Sequence, residues 1–123
     1  MISGIGVDIV KVNRFDKIVN RTPSFVKGVF TEREIEYIYS KTNKFETMAG
    51  IFAAKEAFSK AIGTGIRGFK LTDIEIVQDE LGKPNIILND NVISKFNLLE
   101  SNIKVSISHS DENAIAFVVI EEE

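Results

Sequence analysis

The longest helical pattern in the chain runs from about Lys44 to Ile62, is rich in alanine and is closed by Gly63, where a left-handed C-terminal cap costs little. Its run F-A-A-K-E-A-F-S-K over residues 52–60 sets Glu56 and Lys60 four apart on one face, with Ala54, Ala57, Phe58, Ala61 and Ile62 on the other. In a chain of 123 residues, the elements that cover such a helix account for one compact domain over residues 1–123 and leave no room for a separate cofactor domain.

The remaining patterns supply those elements. Ile5, Val7 and Ile9 alternate with Gly4, Gly6 and Asp8, which predicts a strand with one side in a core and Asp8 on the face opposite the isoleucines. From Asn13 the spacing becomes helical, with Phe15, Ile18 and Val19 on one side and Arg14, Lys17 and Arg21 on the other. Thr22 and Pro23 read as a cap and a first helical position, opening a short segment with Phe25, Val26, Val29 and Phe30. Thr31 with Glu34 has the form of a capping box for a helix through Ile35, Ile38 and Tyr39. Leu71 to Val77 and Asn85 to Leu88 read as strands of a hairpin around a turn from Asp79 to Pro84. Asp90 is placed to cap a helix carrying Val92, Ile93, Phe96 and Leu99, and two apolar strands, around Ile103 to Ile107 and Ala114 to Ile120, end the chain. The order predicts an α+β domain, an antiparallel sheet packed with a long central helix.

Composition narrows the function. There is no cysteine, which excludes disulfides, thiolate zinc sites and cysteine nucleophiles. A formal charge of -3 lacks the positive field that holds phosphate backbones, so nucleic acid is not an expected partner, while a local basic patch can still meet an acidic protein. No apolar stretch approaches spanning length and the N-terminus has no leader pattern, so no membrane role is expected and the cytoplasm is the expected compartment.

Several residues could carry chemistry. Glu56 can offer an oxygen to a hard cation while Lys60, one turn on, reaches a phosphate on the same ion; the plain alternative is a solvated ion pair. Asp8 is the candidate second carboxylate, because an acid inside a short apolar strand is costly unless paired or coordinated; its plain alternative is an exposed strand-end acid. Residues 63–68 match G-x-G-x-x-G, but they follow a helix and precede a strand, the reverse of the order a dinucleotide fold needs. The loop can still bring backbone N–H groups to a phosphate. His109, the sole histidine, stands among Ser108, Ser110 and Asp111, yet neighbours in sequence rarely converge into a triad.

Taken together, G-I-G-V-D-I-V over residues 4–10, the block from Phe52 to Ala61, G-T-G-I over 63–66, G-K-P over 82–84 and V-S-I-S-H-S over 105–110 resemble holo-acyl-carrier-protein synthase, the small bacterial 4'-phosphopantetheinyl transferase. The resemblance implies that fold, and transfer of the 4'-phosphopantetheine arm of coenzyme A to a serine of apo acyl carrier protein, releasing adenosine 3',5'-bisphosphate. It implies magnesium held by Asp8 and Glu56, a phosphate-facing Lys60, and a catalytic set of all three. It places the nucleotide at Gly63, Thr64, Gly65, Ile66, Pro84, His109 and Ser110. It implies a homotrimer with sites between subunits, where Pro84 and His109 serve the neighbour's site, and carrier docking on the helix of Arg14, Lys17 and Arg21, a basic stripe expected to lie beside the exposed aromatics Phe25 and Phe30. The serine proton has two routes, a cation-bound water or Asp8.

The chain departs from the family at Ile51, where an arginine often contacts the nucleotide, so Lys55 or Arg67 becomes the candidate replacement, and at Lys104, where a histidine is common. Two other classes compete: a magnesium-dependent enzyme on another nucleotide diphosphate, which needs no protein acceptor, and a non-catalytic binding module in which Glu56 and Lys60 are a surface pair.

Overall fold

The computed structural model describes residues 1–63 and 68–122, with Ser101 described in its backbone alone. Strand β1 (Ile2–Lys11) leads into helices α1 (Asn13–Arg21), α2 (Phe25–Val29), α3 (Glu32–Tyr39) and α4 (Lys44–Ala61). Strands β2 (Ile74–Gln78) and β3 (Pro84–Leu88), helix α5 (Asp90–Phe96) and strands β4 (Ile103–His109) and β5 (Asn113–Glu121) complete the order. The strands form an antiparallel three-stranded sheet, β1-β5-β4, and an antiparallel hairpin of β2 and β3. Among the described residues the architecture is the expected α+β arrangement, with α4 packed against both sheets.

The strand alternation runs opposite to the sense expected of a core strand. Ile5, Val7 and Ile9 are 61%, 49% and 63% exposed, whereas Gly6 and Val10 are buried and Asp8 is half-buried. Backbone proximity is the reason. A methyl at Gly6 would overlap the carbonyl oxygen of Ala57 and stand 2.7 Å from the amide nitrogen of Ala61, and a methyl at Gly4 would overlap the carbonyl oxygen of Ala61. The glycine face of β1 therefore lies directly on the alanine face of α4, and Asp8, on that same face, is carried against the helix. The apolar row points the other way. Through the register Val7↔Phe117 and Ile9↔Ile115 it continues into Phe117 and Ile115, which are also exposed.

Local chemistry explains several element ends. Thr31 caps α3 in a full box: its hydroxyl accepts from the Glu34 amide and its own amide donates to the Glu34 carboxylate. Helix α5 is capped by Asn89, whose side chain accepts from the Val92 amide, rather than by Asp90. Helix α2 begins at Phe25 behind Ser24, two residues beyond Pro23, with no side-chain cap bond. Leu71–Asp73 is a 3-10 turn, so the strand expected from Leu71 begins at Ile74. Asp73 accounts for the shift, because its carboxylate accepts from the Lys70 amide and from the Asn89 side chain.

Candidate active site

Two segments far apart in sequence build the acid site. Asp8 leaves the inner face of β1, and Lys60 reaches it from the last turn of α4: Nζ lies 3.1 Å from Asp8 Oδ1 and donates to the carbonyl oxygen of Val7, also at 3.1 Å. Lys60 is thus bound across to the strand, beyond the Glu56 to Lys60 pairing that spacing alone suggests. Glu56, one turn earlier on α4, has its carboxyl pushed above the usual range, first by burial and then by the negative charge of Asp8, with Lys60 and the Ser59 hydroxyl pulling it back.

A raised carboxyl has a signed consequence. In folding, Glu56 takes up its proton at higher pH than it does unfolded, so the folded state holds more protons just above pH 4.5, and stability rises as pH falls through that window. With divalent cations chelated, Glu56→Gln is expected to melt higher than the wild-type chain at neutral pH, the difference vanishing below the ordinary carboxyl range. Identical pH profiles of melting temperature would show that the Glu56 carboxyl is not raised in the folded protein.

Two carboxylates near enough for the charge of one to raise the other suit a divalent cation, and hard oxygen donors suit magnesium, which keeps much of its shell for water and phosphate. Among the described residues there is no group of three or more His, Asp or Glu that could hold a metal. The donor set of Asp8 and Glu56 would suit an ion that keeps its other positions for water and phosphate.

A second site lies at the opposite end of α4. His109, at the end of β4, sets Nδ1 3.3 Å from Glu46 Oε1 in the first turn of that helix. It shares a groove with Pro84, Gly82, Ile51, Thr47 and Gln78. Glu46 and Lys60 are separated by fourteen residues of one helix, about 21 Å along its axis. Within one chain, the expected nucleotide residues Pro84 and His109 are therefore not brought to Asp8, Glu56 and Lys60. Ser110 closes the β4–β5 turn, donating its amide to Asn113 and accepting at its hydroxyl from the amides of Glu112 and Asn113. Gly63 follows α4 with φ +81°, the left-handed cap expected of it. The candidates Thr64, Gly65, Ile66 and Arg67 lie outside the described residues.

The chain matches the model of the 4'-phosphopantetheinyl transferase superfamily over residues 4–118. The chain belongs to that superfamily. A holo-[acyl-carrier-protein] synthase of Clostridium botulinum (strain Alaska E43 / Type E3) is 51% identical over 121 residues, 98% of each chain. A solved holo-(acyl-carrier-protein) synthase from Bacillus anthracis, in complex with CoA (3',5'-ADP), superposes with a TM-score of 0.84 at 39% identity, covering 100% of this chain and 99% of that one. The Helicobacter pylori synthase in complex with coenzyme A gives 0.85 at 35% identity over 95% and 99% of the two chains. The resemblance read from the sequence motifs and the fold class are both borne out.

Two expectations within the superfamily framework need correction. Lys55 cannot replace a nucleotide-binding arginine at Ile51, because it is 0% exposed, paired with Glu34 at 2.6 Å and bonded to the carbonyls of Val29 and Leu71. Phe30 is no exposed docking aromatic: it is buried, and Phe25 is half-buried, edge-on to Phe30 and packed near Phe15 and Phe52. Arg14, Lys17 and Arg21 are exposed along α1, as their spacing predicts. Sequence reasoning missed Glu46, whose only signal was its place in the first turn of α4, and the groove residues Thr47 and Gln78, which carried none.

Proposed function

We propose that this single domain transfers the 4'-phosphopantetheine group from coenzyme A to a serine of apo acyl carrier protein, in the cytoplasm, with magnesium as cofactor, supplying holo carrier for fatty acid biosynthesis. The observation that carries the reading is the convergence of Asp8, Glu56 and Lys60 in a chain that matches the superfamily over residues 4–118. Incubation with coenzyme A, magnesium and apo acyl carrier protein should raise the carrier's mass by one phosphopantetheine group. An unchanged carrier mass, with coenzyme A consumed in some other way, would favour an enzyme acting on the nucleotide diphosphate alone.

In the reaction the serine oxygen gives up its proton, to water at the site or to Asp8, and forms a bond to the β-phosphorus of coenzyme A, while the bond from that phosphorus to the departing adenosine 3',5'-bisphosphate breaks. Little covalent work falls to the protein, so positioning and charge decide the rate. Asp8 and Glu56 would hold the magnesium, which supplies neutralisation of the diphosphate charge when bound. Lys60 has an ammonium on a flexible, half-exposed stem beside Asp8, suited to turn toward a phosphate whose negative charge grows as it leaves.

The working assembly in this reading is a homotrimer. Two observations support it. The outer sheet face carries Ile5, Val7, Ile9, Ile115 and Phe117, a contiguous apolar row of the kind that oligomers cover. Pro84 and His109 stand too far from the acid site of their own chain and would complete a neighbour's. Light scattering is expected to give about three times the chain mass of 13.7 kDa, and a strictly monomeric active enzyme would end the shared-site account.

Carrier docking is assigned to α1. Acyl carrier proteins are acidic, and a stripe of Arg14, Lys17 and Arg21 on a chain of net charge -3 is an asymmetric field that steers an acidic partner. Arg14→Glu and Arg21→Glu are each expected to lower kcat/KM for the carrier about tenfold at low salt and to flatten its salt dependence, because such steering is screened over ~8 Å at physiological ionic strength. The KM for coenzyme A should barely move. Intact carrier kinetics in both variants at low salt would move the docking face elsewhere.

A further inference from the structure

Glu34 and Lys55 form the one fully buried ion pair among the described residues, and the chemistry above does not use it. All three ammonium protons are placed: on Glu34 Oε1 at 2.6 Å, on the Val29 carbonyl at 2.7 Å and on the Leu71 carbonyl at 2.9 Å. The Glu34 carboxylate also accepts from the amides of Thr31 and Ile76 at 2.9 and 2.7 Å, and the Phe30 ring lies 5.5 Å from the ammonium. One contact thus ties α4 to the end of α2, the start of α3, the turn before β2, and β2 itself.

Replacing such a pair by apolar residues of similar volume is often neutral or stabilising, so stability is a poor reason for it to be there. Its bonds are directional, and where α4 meets β1 direction comes, among the described residues, from the half-exposed Lys60 in the last turn. There Ala57 and Ala61 lie on Gly6 and Gly4, a seam without interlocking side chains. Glu56 is the residue directly after Lys55. At a side-chain radius of about 6 Å, a 20° rotation of the helix would carry the Glu56 carboxylate roughly 2 Å, whereas a working site tolerates only about 0.5 Å.

We infer that the Glu34–Lys55 pair is a positioning device that fixes the rotation of α4 and thereby holds Glu56 facing Asp8. The inference rests on the reading of Asp8 and Glu56 as the cation site. It is tested by Mn2+ binding to the folded protein, followed through loss of the free-ion electron paramagnetic resonance signal. Glu34→Gln, and the apolar double variant Glu34→Leu with Lys55→Met, are expected to bind Mn2+ at least about tenfold more weakly than the wild-type chain, because a carboxylate carried roughly 2 Å out of place no longer shares the ion with Asp8. Val92→Ala, a core truncation on α5, serves as the control for lost stability and should bind Mn2+ as the wild type does. Circular dichroism establishes that each variant is folded, and if the double variant is not, the near-isosteric Glu34→Gln decides. Pair variants that bind Mn2+ as tightly as Val92→Ala overturn the inference while leaving the cation site standing. Wild-type affinity retained in Asp8→Ala would instead overturn the cation site, and the inference with it.

Discussion

Asp8→Ala and Glu56→Ala are each expected to lower transfer to apo acyl carrier protein by about two to three orders of magnitude with the fold intact. The size follows from the work assigned to the pair: charge stabilisation of a transferring phosphoryl group is worth several kcal/mol, at about 1.4 kcal/mol per tenfold in rate. One carboxylate left alone would hold a divalent ion loosely against competing water. The fold has little at stake in either side chain. Asp8 is bonded to a lysine whose side chain is 55% exposed, a pair worth at most about 1 kcal/mol. Glu56 sits in a position where its charge is already disfavoured by burial. Melting temperatures near that of the wild-type chain, alongside lost mass transfer to the carrier, would separate a chemical defect from an unfolded one. Near-normal turnover by either variant in saturating magnesium would remove that residue from the site.

What the sequence made legible was mostly local. The capping box at Thr31 and Glu34, the stop at Gly63 and the turn after Asp79 depend on residues within a few positions of each other, and each formed, with Pro84 in β3 rather than in the turn. The inward face of β1 was not legible, for a physical reason. Alternation distinguishes two faces but does not say which one meets the core, and an apolar face awaiting a partner subunit has the same pattern as a core face. The glycines were the overlooked signal, since a strand with glycine on every other position can accept a helix backbone where one with isoleucine cannot.

The site divides the same way. Asp8, Glu56 and Lys60 could be named because the last two share a helix face and the first is an acid in an apolar strand; the contact that joins them crosses 52 positions and became visible only in three dimensions. Glu34 and Lys55 could not be paired beforehand. A glutamate in a capping box and a lysine in a helix are both ordinarily solvated, and nothing local says that Glu34 serves three donors at once. His109 likewise stood out as the sole histidine, while its neighbour Glu46 had no mark beyond helix position.

The close seating of β1 on α4 leads to the largest expected effect on stability. Gly6→Ala places a methyl where the carbonyl oxygen of Ala57 already stands, with the Ala61 amide nitrogen 2.7 Å away and the Ala57 carbonyl carbon at 3.0 Å. These are backbone atoms in the middle of a helix, so no rotamer change relieves the overlap and the strand must lift from α4. Overpacking that moves backbone costs about 3 kcal/mol or more, which for a chain of this size means a fall in melting temperature of roughly 10 °C. The same displacement draws Asp8, two residues on, away from Glu56 and Lys60, so activity should fall further than the loss of folded protein explains. Gly28→Ala is the matched comparison. It lies on α2 with nothing within 4 Å of the added methyl, and exchanging glycine for alanine in a helix should be neutral or slightly stabilising. A Gly6→Ala protein that melts within a degree or two of Gly28→Ala, and retains transfer, would show that α4 does not sit on the glycine face of β1, and the geometry that joins Asp8 to Glu56 would fall with it.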